Sequence, residues 1–89
     1  SLNKDISIYP NPYNSGNLIL DLQELEPNTS ILVSVINMNE KVIVTAPLLI
    51  PESREVNLVP KMIDNLSPGI YVVTVRTPKG ILTKKVIVN

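Results

Sequence analysis

Alternating apolar and polar residues fill most of this chain and predict seven short strands. Asp5–Tyr9 (DISIY) is the first. Asn17–Leu22 (NLILDL) follows, with Leu18, Leu20 and Leu22 on one face. Ile31–Asn37 (ILVSVIN) sets Ile31, Val33 and Val35 against Leu32, Ser34 and Ile36. Lys41–Ala46 returns as a hairpin partner, Arg54–Val59 is a further short strand, and Ile70–Thr77 and Ile81–Val88 are the two strongest.

The breaks between strands have their own chemistry. Pro10 and Pro12 carry no N–H, so pairing stops there or moves to an edge. Asn14-Ser15-Gly16 and Glu26-Pro27-Asn28 are turn signals. Pro47–Pro51 (PLLIP) reads as a connector crossing between sheets. Pro60–Gly69 (PKMIDNLSPG) is the one stretch with room for a single helical turn; its bounding prolines argue against a long helix, and deep burial is not expected. Thr77-Pro78-Lys79-Gly80 joins the last two strands, with Pro78 presetting φ and Gly80 accepting a positive one. Asn37–Lys41 (NMNEK) is expected as a tight hairpin turn, with Glu40 standing where glycine would serve. No segment sustains a 3.6-residue period. The expected fold is all-β: a seven-stranded antiparallel Ig-like β-sandwich forming one domain over 1–89, its core spanning about 5–89.

Composition narrows the chemistry. The chain has 89 residues, 44% of them hydrophobic, with no Phe and no Trp, so the core is aliphatic. It has no Cys, hence no disulfide or thiolate metal site, and no His, the commonest general base and metal ligand. No apolar run approaches the roughly 20 residues that span a bilayer. No signal peptide opens the chain, and the abrupt start reads as an excised piece of a longer protein. Net charge is zero but uneven: Ser1–Gly69 carries −4, and Ile70–Asn89 carries +4 from Arg76, Lys79, Lys84 and Lys85.

The candidate sites for catalysis are poor. Glu24, Glu26, Glu52, Glu55 and Asp64 lie in or beside loops, and nothing in their spacing selects a pair across a cleft. Asp64-Asn65 lacks a calcium-loop pattern and fits turn chemistry better. The basic tail has no neighbouring aromatic platform, so neither nucleic acid nor a small-molecule substrate is expected as a partner, and no cofactor, metal site or enzymatic activity is expected. Tyr71 follows Leu-x-Pro-Gly-x, the shape of a tyrosine corner, with Gly69 giving a tight lead into the strand.

Four stretches in order carry a resemblance: Ile8–Pro12 (IYPNP), Ile36–Ile43 (INMNEKVI), Asn65–Val75 (NLSPGIYVVTV) and Leu82–Asn89 (LTKKVIVN). Together they resemble the C-terminal sorting domain of cargo proteins of the type IX (Por) secretion system. That family's pattern runs Y-P-N-P, D-x-x-G-K, L-x-x-G-x-Y, then a basic residue and alternating aliphatics. Here Tyr9, Pro10, Asn11 and Pro12 match the first, and Leu66, Gly69 and Tyr71 the third. The middle motif departs, with Asn37 for Asp and Glu40 for Gly.

The resemblance implies a seven-stranded Ig-like sandwich that directs a cargo across the outer membrane of Bacteroidota-type bacteria. It implies transit through the periplasm to the cell surface or the medium, recognition by the outer-membrane translocon and shuttle proteins, and removal by a sortase-like cysteine protease. The cargo would precede the domain, and the cleavage point would lie upstream of Ile6, near or before Ser1. The alternatives are a fibronectin-like or Ig-like adhesion or binding module, and a structural spacer.

Residue alternation adds an expectation about the end of the chain. Lys84 and Lys85 point to opposite faces, and Lys84 falls on the more apolar one with Leu82, Val86 and Val88. It either snorkels at the rim or sits at a bulge. The last strand is expected to be an edge whose unpaired backbone groups are offered for strand addition, and Lys84, Lys85, Val86, Ile87, Val88 and Asn89 are the candidate recognition residues.

Overall fold

The computed structural model describes residues 5–59, 62–63 and 65–89. It contains seven strands: β1 (Ser7–Tyr9), β2 (Ile19–Asp21), β3 (Ser30–Asn37), β4 (Val42–Leu49), β5 (Glu55–Asn57), β6 (Gly69–Thr77) and β7 (Gly80–Val88). They form a three-stranded sheet in the order β1-β2-β5 and a four-stranded sheet in the order β4-β3-β6-β7. Every strand pairing is antiparallel. The expected all-β sandwich is the observed one.

Alternation places the core between the sheets. Leu18, Leu20 and Leu22 are fully buried, and Ile31, Val33, Val35, Tyr71, Val73 and Val75 face them from the large sheet. Among the described residues no polar or charged side chain is buried.

Three expectations are corrected. First, Pro47–Leu49 is not a connector: β4 runs through Pro47, which stands opposite Leu32. β4 is an edge strand, and Pro47 falls in the register that points its nitrogen away from β3, so the missing N–H costs no ladder bond.

Second, the 60–69 stretch reaches the core. Met62 and Ile63 are buried, and the Met62 N–H donates to the Leu58 carbonyl at 2.8 Å, closing one turn. Both side chains belong to the core cluster; Pro60 and Asp64, which entered the sequence reading here and as a metal candidate, lie outside the described residues.

Third, the Asn37–Lys41 turn is not a two-residue hairpin turn. The Glu40 N–H donates to the Asn37 carbonyl (3.0 Å), and the Asn37 N–H donates to the Lys41 carbonyl (2.9 Å). Asn37 Oδ1 accepts from the N–H groups of Asn39 and Lys41. This is a three-residue loop in which only Glu40 is left-handed, at φ +62°. A side chain in that region costs about 1 kcal/mol. Glu40→Gly is therefore expected to raise the melting temperature by a few degrees, read by thermal denaturation; an unchanged or lower value would show that the side chain repays its strain.

Candidate functional site

β1 does not end the path of the N-terminal segment. It pairs with β2 through Tyr9, and the chain then crosses to the other sheet. The Tyr9–Pro10 and Asn11–Pro12 bonds are cis. Past the two prolines, Tyr13 bridges Val88 of β7 in parallel.

The crossing straps the terminal strand down. Asn11 Nδ2 donates to the Lys85 carbonyl, and the Ile87 N–H donates to Asn11 Oδ1, both at 2.9 Å. One side-chain amide thus presents a donor and an acceptor as a neighbouring backbone would. The Tyr13 N–H then donates to the Ile87 carbonyl (2.7 Å), and the Asn89 N–H to the Tyr13 carbonyl (2.8 Å). The Tyr13 ring is nearly buried, and its hydroxyl donates to the Gly16 carbonyl at 2.8 Å. The edge of β7 is therefore covered from the Lys85 carbonyl to the Asn89 N–H.

Register brings the other quoted stretches to the same end. Asn37 at the end of β3 stands beside Tyr71, Tyr71 beside Val86, and Gly69 beside Val88. Asn65 and Leu66 line a shallow cleft with Tyr13 and Asn89. Four stretches spread along 8–89 thus gather around one strand end.

Tyr71 is a tyrosine corner: its ring is buried, and its hydroxyl donates to the Ser67 carbonyl at 2.6 Å. Leu66 packs partly buried against the core. Gly69 has φ +158°, and a β-carbon there would sit 3.8 Å from the Tyr71 ring, an ordinary contact. Backbone freedom, not space, therefore explains the glycine. Pro10 and Pro12 are exposed.

Tyr9 is exposed, with its hydroxyl donating to Glu55 Oε2 at 3.2 Å. Desolvation, then the Glu55 and Asp21 carboxylates, hold its phenol above the usual value. Asp21 and Glu55 stand opposite each other on β2 and β5, a juxtaposition that the linear spacing did not disclose.

The lysines separate as their faces require. β6 and β7 pair from Gly69–Val88 to Thr77–Gly80 without a register shift, so no bulge rescues Lys84. Lys84 snorkels: its side chain is 39% exposed, and Nζ lies 3.5 Å from Asp5 Oδ2. This is the sole ion pair among the described residues, and Lys85 stands exposed on the outer face. An exposed pair of this kind stabilises by about 0–1 kcal/mol. Lys84→Met is expected to keep the melting temperature within a few degrees of the parent; a loss much beyond that would mean that the pair anchors the strand.

Tyr13 is the residue that sequence reasoning missed. Its backbone partners lie more than 70 positions away, and only its place directly after Y-P-N-P hinted at a role. Among the described residues no cluster of three His, Cys, Asp or Glu side chains could hold a metal.

Fold and site together define a small β-sandwich whose distinctive residues serve the placement of its last strand. The profile of the family described as the secretion system C-terminal sorting domain matches residues 7–89, and the chain belongs to that family of type IX secretion domains. No curated protein matches the sequence. Membership makes the chain a type IX sorting signal that works with that secretion machinery and implies export to the cell surface or extracellular space. The family is not known as catalytic.

Proposed function

We propose that the whole of 1–89 acts as one folded export address at the C-terminal end of a cargo. The outer-membrane translocon and its shuttle proteins recognise it after periplasmic transit, and a sortase-like surface protease then removes it. The observation that supports this reading is the convergence of the family's motifs on the end of β7. Lys84, Lys85, Val86, Ile87, Val88 and Asn89 form the recognition element. Tyr9, Pro10, Asn11, Pro12, Leu66, Gly69 and Tyr71 hold it in place.

The roles within the element differ. Val86 and Val88 are buried and act through the fold. Lys85 and Ile87 face outward and are open to a partner. The test is a reporter fused ahead of the whole chain in a bacterium with a working type IX system. Surface delivery of the fusion, its loss without the domain, and a mature reporter lacking the domain are expected. Delivery that persists without the domain would overturn the sorting role; delivery with the domain still attached would overturn the removal step.

A further inference from the structure

The strap leaves the other half of β7 uncovered. Successive residues of a strand turn their N–H and C=O to opposite sides. Since Lys85 O, both groups of Ile87 and the Asn89 N–H point outward to Asn11 and Tyr13, the odd-numbered residues of β7 face the open edge. The same alternation turns the N–H and C=O of Ile81 and Thr83, and the N–H of Lys85, outward; none has a backbone or side-chain partner among the described residues.

The two edges of the large sheet are treated differently. β4 carries Pro47 at an outward-facing position, which removes a donor and discourages pairing. β7 has no such residue between Gly80 and Lys85. Its edge is flanked by Arg76, Lys79 and Lys85, all exposed and none within ion-pair distance of a described carboxylate. Ile81 adds an exposed aliphatic side chain beside the outward groups.

We propose that Ile81–Lys85 is a docking edge to which a partner protein of the export machinery adds an extended segment carrying a carboxylate. Backbone bonds to Ile81, Thr83 and Lys85 hold the segment, and the cationic rim fixes its charge. This rests on the sorting reading and adds a backbone contact in the middle of the strand to the outward side chains of Lys85 and Ile87 at its end. It also gives the strap a second consequence: by occupying 85–89 it confines an added strand to one register.

Proline at an outward edge position deletes a donor without touching the internal ladder, as Pro47 does on β4. Thr83→Pro, with Thr83→Ala as the side-chain control, is tested in the reporter fusion and as purified protein. Thr83→Pro is expected to melt within a few degrees of the parent and to lose surface delivery at least tenfold, while Thr83→Ala delivers normally. Ile81→Pro, which removes a second outward donor, should repeat the result. Normal delivery by both proline variants overturns the proposal, as does equal loss by Thr83→Ala, which would assign the effect to the side chain. Unfolding of both proline variants also overturns it, because the edge would then already be used within the domain. Failure of the sorting reading is distinct: there the fusion reaches the surface without any of this domain.

Discussion

Deletion of Lys85–Asn89 is expected to unfold the domain, not simply to silence it. The five residues look like a detachable tag, yet Val86 and Val88 are buried in the core. Each buried valine contributes about 1.5–3 kcal/mol. The deletion also strips Gly69 and Tyr71 of their partners on β7 and leaves Tyr13 with nothing to bridge. Several kcal/mol of loss meets a total stability of about 5–15 kcal/mol for a domain of ordinary stability. The truncated chain should show little cooperative unfolding in urea, followed by far-UV circular dichroism. A cooperative transition near that of the parent would show that β7 is dispensable. The consequence for export assays is direct: loss of delivery on truncation reports folding and recognition together, and only outward-facing substitutions such as Lys85→Glu separate them.

Asn11→Asp is expected to cost more than Asn11→Ala, although aspartate is the closer shape. Alanine loses two hydrogen bonds, each worth about 0.5–1.5 kcal/mol net. Aspartate keeps the acceptor for the Ile87 N–H but sets a carboxylate oxygen where Nδ2 meets the Lys85 carbonyl at 2.9 Å. Two acceptors then face each other. The carbonyl disfavours ionisation, so the carboxyl pKa in the folded variant should rise above its unfolded value of about 4. Stability from the protonated form is then fully present below about pH 4 and is lost as pH rises through the folded value. Amide exchange at Ile87 and Asn89 reads the effect locally: both should lose protection at neutral pH, and Asn11→Asp should regain it on acidification while Asn11→Ala does not. A pH-independent Asn11→Asp, or one as protected as the parent, would refute the bidentate role of Asn11.

The strands were legible because a half-buried sheet imposes a period of two, and Leu18-Leu20-Leu22 or Ile31-Val33-Val35 can satisfy it in only one register. Proline misled in one place. It ends a central strand, but at Pro47 it lies on an edge where its missing donor is harmless, and edge position is a property of sheet order that local sequence does not carry. Met62 and Ile63 were hidden because a two-residue apolar step has no period. The site was legible in its motifs and illegible in its wiring. Asn11 could be marked, yet its partners stand 74 and 76 residues away. The alternation did separate Lys84 from Lys85 correctly, and the continuous β6–β7 register then decided between a snorkelling side chain and a bulge.

The aliphatic interior has a consequence for a domain that is exported. Among the described residues no Asp, Glu, Lys or Arg side chain is buried and the one ion pair lies at the surface, and the chain holds neither thiol nor imidazole. Acidification or an oxidising compartment therefore finds little to act on inside the sandwich: no hidden proton to add, no cysteine to cross-link with a cargo's own. The fold answers chiefly to the burial of Ile, Leu and Val, which neither condition alters, so the same three-dimensional address can accompany cargoes of very different chemistry without imposing its own requirements on them.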